Sequence, residues 1–183
     1  RKFAWVEPSD RVGRSRWLGA GRALSAELCD AMRDVATGMD PPGVVLTERA
    51  RKGLAEMRAE FPFARRGRGS VVIETTRARW WTWAGQRANA SLGDALGDLA
   101  ASAGDDLSIG LDAERASTVA VRQALVDLNP DMLPTPRVAA GFAENMKFSD
   151  CLPSSLALEV ARQRLIDPAG VRRVLSELGA HDS

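Results

Sequence analysis

Three tryptophans within four positions, Trp80, Trp81 and Trp83, stand in the string RARWWTWAGQRANASL, flanked by Arg77, Arg79 and Arg87. Aromatic rings stack on any base and guanidinium groups neutralise any phosphate, so the pattern suits sequence-independent contact with single-stranded nucleic acid. The same rings equally suit a core. On a strand the side chains alternate, which puts Trp81 and Trp83 on one face and Trp80, beside Arg79, on the other. Trp80 is then the ring expected at the surface, while the rest of the cluster packs beneath a following helix. A second stretch, GRSRWLGAGR at 13–22, combines Arg14, Arg16, Trp17 and Arg22 with three glycines whose bare backbone can approach phosphate. Its alternative is a solvated loop that Trp17 anchors to the domain.

Hydrolytic chemistry finds little material. The one histidine, His181, sits two residues from the end and has no evident alignment with Cys29, Cys151 or a serine. Asp105 and Asp106 lack a nearby histidine or further carboxylate at metal-ligand spacing and read as a turn into a strand. Neither GxxxxGK[ST] nor GxGxxG occurs after a strand, so no nucleotide loop is expected. The sequence carries no self-contained active site, metal site or cofactor site.

These residues need elements to position them. Ser25 caps a predicted helix over 26–37 with an apolar stripe of Leu28, Met32 and Val35, and Pro41 and Pro42 follow its end. Thr47 caps a second helix to Glu60, carrying Leu54, Met57 and Phe61 on one face. SVVIETT at 70–76 is β-branched and continuous, and RWWTWAG forms its antiparallel return strand. RANASLGDALGDL is helical with Leu92, Leu96 and Leu99 on one side, and DLSIGL at 106–111 is a short strand. Asp112 is placed as the cap of a helix to 128 that buries Val119, Ala120 and Leu125; shorter helices are predicted over 138–146, 154–165 and 168–178. Asp167 before Pro168 starts the last, because the carboxylate accepts an orphan amide proton and proline fits the first helical position. The expected fold class is α+β, predominantly helical with a small antiparallel sheet, in one domain over 1–183. Prolines at 130, 134 and 136 divide it into a mixed part, 1–129, and a C-terminal helical part, 137–183.

The 183 residues, 45% hydrophobic, suffice for one core. Two cysteines and one histidine supply neither a disulfide framework nor a zinc cluster and fit a reducing compartment. With no apolar run of transmembrane length, the expectation is a soluble, cytoplasmic protein without a membrane partner. The chain begins Arg-Lys-Phe and reads as a piece of a longer polypeptide. A net charge of +1 conceals six basic against two acidic residues over 1–22, nine against three over 51–87, and eight acidic against two basic over 94–131. Such asymmetry suits either a phosphate backbone or complementary docking between domains.

Three stretches, GRSRWLGAGRALSAEL, RWWTWAGQRANASL and MKFSDCLPSSLALEVARQRLIDPAGVRRVL, resemble successive motifs near the end of the core of the large helicase-related (Lhr-type) superfamily 2 ATP-dependent DNA helicases. The likeness runs in order over about residues 13–178. It implies two RecA-type motor domains, a winged helix and a further C-terminal domain that together enclose single-stranded DNA during 3′-to-5′ translocation. This chain matches part of that last domain, so ATP and Mg2+ belong to motor domains outside it. The implied partners are single-stranded DNA, or a duplex with a 3′ tail, and the motor and winged-helix domains of the same polypeptide.

Trp83 stands where the family commonly has phenylalanine in Trp-Trp-Thr-Phe-Ala-Gly, a swap of flat rings that suggests packing. Arg87, Ala88 and Asn89 match the segment after it, with Asn89 expected to cap a helix start or touch phosphate. Lys147, Phe148 and Ser149 match a Lys-Phe-Ser string in which Lys147 is available to DNA or a neighbouring domain. The chain is shorter than the family's full domain, and its loop at 65–69 is unusually rich in arginine. The resemblance leads to an accessory single-stranded-DNA-binding domain lining the channel; the alternative is a structural module that docks on the motor domains. Convergence of Arg14, Arg16, Arg79 and Arg87 on one exposed face separates the two.

Overall fold

The computed structural model describes residues 23–60, 70–74, 77–102, 104–136, 139–147 and 149–179. The elements run α1 (Ala26–Ala36), α2 (Glu48–Glu60), β1 (Ser70–Glu74), β2 (Arg77–Trp81), α3 (Gln86–Leu96), β3 (Ser108–Leu111), α4 (Thr118–Leu125), α5 (Ala139–Glu144), α6 (Ser154–Leu165) and α7 (Pro168–Gly179). The fold is α+β, mainly helical around one small antiparallel sheet, as the sequence pattern led one to expect.

The sheet has three strands in the order β1-β2-β3, both pairs antiparallel. Opposite residues of an antiparallel pair share a face. Ala78 lies across from Leu111 and Trp80 across from Ile109, so one face of β2 and β3 is apolar. That face forms the main core with Ala88, Leu92 and Leu96 of α3, Val121 and Leu125 of α4, and Val171, Val174 and Leu178 of α7. α7, part of the C-terminal helical stretch, thus packs into the same core as the sheet. The other face of β2 carries Arg77 and Arg79, both exposed.

Helix starts follow the local signals. Ser25 Oγ accepts the Leu28 amide, Thr47 Oγ1 accepts the Ala50 amide, and Asp167 Oδ1 accepts the Gly170 amide at 2.9 Å. Gly170 also sits where α7 crosses α3: a Cβ there would stand 3.0 Å from the Ala88 methyl and closer still to the Asp167 carboxylate. Only glycine lets cap and crossing coexist.

Three expectations about helices need correction. Asp112 does not cap α4; its carboxylate accepts the Glu114 amide in a turn, and Ser117 caps the helix instead. The later start rotates the inward face to Val121 and Leu125 and leaves Val119 69% exposed. On α1 the predicted stripe is displaced by one residue: Cys29, Arg33 and Ala36 are buried, while Leu28 and Met32 are exposed. The cause is Arg33, whose guanidinium meets Glu177 of α7 at 2.9 and 3.1 Å and Asp30 at 2.5 Å. A buried ion pair overrides the apolar count, because an unpaired charge there would cost far more than an exposed leucine.

α2 buries no residue fully; Met57 joins Trp81 and Leu107 around a second small cluster of Ala36 and Trp83. Arg58 ties α2 to the end of α1 by donating from Nε to the Val35 carbonyl at 2.9 Å and from Nη2 to that of Met39. α5 and α6 form a hairpin around Ala139, Ala143, Ala157 and Ala161.

Candidate nucleic-acid interface

The tryptophan string builds the junction between β2 and α3. β2 ends at Trp81, after which the amides of Thr82 and Trp83 both donate to the Leu107 carbonyl, at 3.1 and 2.9 Å. Two donors on one acceptor bend the chain out of the sheet, and Trp83 takes a left-handed backbone with φ 54°. A bulky residue rarely adopts that conformation, so the surroundings must hold it. Gly85 follows at φ 86°, and a side chain there would meet the Leu24 carbonyl at 3.3 Å. Its amide donates to the Asp106 carbonyl at 2.9 Å, and α3 begins.

Trp80 is 0% exposed, packed between the sheet and its helices. The expectation that it is the surface ring is therefore wrong. Alternation along β2 puts Trp80 on the side away from Arg77 and Arg79, and the outward side of β2 is the arginine side. The large apolar surface of the ring goes beneath the helices, where its burial is favourable. Trp81 and Trp83 do lie together, their ring centroids 5.8 Å apart, in the cluster that receives α1 and α2. The indole N–H groups of Trp80 and Trp83 are buried without an acceptor among the described residues.

Asn89 is likewise not a cap. Gly85 occupies that position, and Asn89 sits in the first turns of α3, fully buried. Its Nδ2 donates to the Asp105 carbonyl at 2.7 Å and its Oδ1 accepts from the Thr82 hydroxyl, joining the end of β2, helix α3 and the loop before β3. Asp105 extends this tie. Its Oδ1 accepts the amides of Leu107 and Ser108 at 2.9 and 2.8 Å, and its Oδ2 meets Arg79 Nη1 at 3.0 Å. Partial burial pushes the Asp105 carboxyl upward, but those two amides and Arg79 outweigh it and hold the pKa below the ordinary carboxylate value. Asp106, as the sequence suggested of the pair, serves the turn, and its Oδ1 accepts the Leu24 amide at 2.8 Å.

Arg79 is 47% exposed and also donates to Ser108 Oγ. Arg87 is exposed in the first turn of α3, the helix that covers the opposite face of the sheet, and Lys147 is exposed after α5. Of the candidate cations, Arg79, Arg87 and Lys147 are described and stand on β2, on α3 and in the turn after α5, and Arg79 is paired with a carboxylate of the same chain. Arg14, Arg16, Trp17 and Arg22, like the loop at 65–69, Phe148 and His181, lie outside the described residues.

Sequence reasoning missed the Thr82–Asn89–Asp105–Arg79 tie and the Arg33 ion pair. A run of small polar residues on either side of a strand end was the only signal for the first. Cys29 is buried, and loss of solvent pushes its thiol up to about 11, so it is a poor nucleophile. Among the described residues no cluster of histidine, cysteine and carboxylate could hold a metal ion, and no helix is long and apolar enough to cross a membrane. Comparison with protein-family models, with curated proteins and with solved structures returns no match to this chain.

Proposed function

We propose that this chain is an accessory domain of an ATP-driven helicase of the kind its motifs resemble, and that its folded part docks on neighbouring protein. ATP and Mg2+ would act in motor domains outside this chain, which would couple hydrolysis to strand movement. The observation that carries the docking role is the burial of Trp80: the ring that the sequence offered for stacking is spent on joining sheet and helix. The Arg79–Asp105 pair points the same way, since it cancels charge that a phosphate would need.

A second reading keeps the strand contact. Arg77, Arg79 and Arg87 remain exposed, and an ion pair open to solvent is worth little, so a phosphate oxygen could take the place of Asp105. Fluorescence anisotropy of labelled single-stranded DNA across a salt series decides between the two. Docking is supported if Arg79→Ala and Arg87→Ala leave the binding curves unchanged. Channel lining is supported if each substitution weakens binding and lowers the salt slope by about one.

A further inference from the structure

Among the described α-helices, α2 alone buries no residue fully. Ala50, Leu54, Met57 and Arg58 are half-buried and the rest of the helix is exposed. It is held by Met57, which packs against the cluster of Ala36 and Trp83, and by Arg58, which donates to the Val35 and Met39 carbonyls at 2.9 and 3.3 Å. Arg58 also approaches Asp40 at 3.5 Å, but that carboxylate is 80% exposed, and a pair so open to solvent contributes little. A helix of 13 residues is marginal in water without tertiary support, and Gly53 near its middle weakens it further. Packing does not require glycine there: a Cβ at Gly53 would meet nothing within 4 Å.

Beneath α2 lies Trp83, buried in a left-handed backbone at φ 54°, with an indole N–H that finds no acceptor among the described residues. Water admitted to this cluster supplies that acceptor and so offsets part of the cost of opening it. The linker 37–47 that leads into α2 is exposed except at Pro41 and Leu46, and Val45 is 92% exposed, so swinging it breaks little packing. Trp81, which alternation puts on the arginine side of β2, has its ring centroid 5.8 Å from that of Trp83. Elements with few buried apolar contacts open first, while the core stays folded. We propose that α2 is a displaceable cover over Trp83: it lifts as a unit while the sheet, α3 and α7 stay folded, and until it lifts it withholds an aromatic face from the arginine side of β2. The device is the same whether the chain docks on protein or touches a strand, and its test involves neither.

Hydrogen exchange of the full chain, followed by amide and indole NMR at a series of low denaturant concentrations, tests the cover. The α2 amides and the Trp83 indole N–H are expected to exchange together, with protection at least about tenfold below that of α3 and α7 and a shallower dependence on denaturant. The Trp80 indole N–H, buried in the main core and equally without an acceptor, is the internal control and is expected to exchange with α3 and α7. Gly53→Ala is expected to slow the α2 amides and the Trp83 indole about fourfold, and Arg58→Ala to hasten both about tenfold, with α3 and α7 unchanged in each. Protection of α2 equal to that of α3 and α7 overturns the proposal. A Trp83 indole that stays protected while α2 exchanges overturns it as well, because the helix then frays without uncovering the ring. So does a Trp83 indole rate that ignores Gly53→Ala.

Discussion

Trp80 sits at the meeting point of sheet and helices, and truncating it leaves a hole that neighbours on a strand cannot collapse into. Trp80→Ala is expected to cost about 3–5 kcal/mol in urea unfolding, the range for large buried rings. Trp83→Phe is expected to stay within about 1 kcal/mol of the parent, because it keeps a flat ring and removes a buried N–H that has no acceptor. Asp105 adds a pH signature. Its pKa is depressed in the folded state, so its contribution is complete above the unfolded value of about 4 and is lost as pH falls through the folded value. Asp105→Asn should therefore flatten the fall in stability on the acid side of about pH 4, measured by denaturant midpoints across pH. At this scale the sequence was legible where chemistry is local, as in the caps of Ser25, Thr47 and Asp167. It misled where tertiary placement decides. Nothing in alternation tells which side of β2 meets the helices, so the pairing of faces was right and the choice of the outward one was not.

Helices and strands were the most legible level, because periodicity and caps act over a few residues. The spans of α1, α2, α6 and α7 fall within a residue or so of their expected limits. The inward face of α1 was not legible, since it turns on an ion pair between residues far apart in the chain, Arg33 and Glu177. That pair joins α1 to α7. Burial pulls the Arg33 pKa down, but the hydrogen bond and charge of Glu177, with Asp30, more than offset it and leave the guanidinium above its ordinary value. Glu177→Ala leaves a buried cation with one partner fewer and is expected to cost about 1.5–3 kcal/mol, measured by chemical denaturation. Val119 shows the same limit in reverse: moving a cap from Asp112 to Ser117 turns a whole helix, and only the turn chemistry at 112–116 separates the two.

For the molecule as a whole, part of the charge read from the sequence is taken up by ion pairs within the chain. Arg79 meets Asp105, Arg172 meets Asp131, Arg33 meets Glu177, and Arg87 projects from the helix that covers the far side of the sheet. Of these pairs only Arg79–Asp105 joins a basic stretch of the sequence to the acidic one at 94–131. The packing of the α5–α6 hairpin was illegible in the sequence for a related reason: alanines at helical spacing look like filler, and only the packed hairpin reveals that Phe142, Leu156 and Leu158 face out. The most direct test of docking against strand contact is a titration of the isotopically labelled chain with a short single-stranded oligonucleotide, followed by amide NMR. Docking predicts that the amides of Arg77–Trp81 and Arg87 keep their positions at saturating oligonucleotide. Shifts concentrated on either set, weakening with added salt, would contradict it; on Arg77–Trp81 they would place the strand on the arginine side of the sheet.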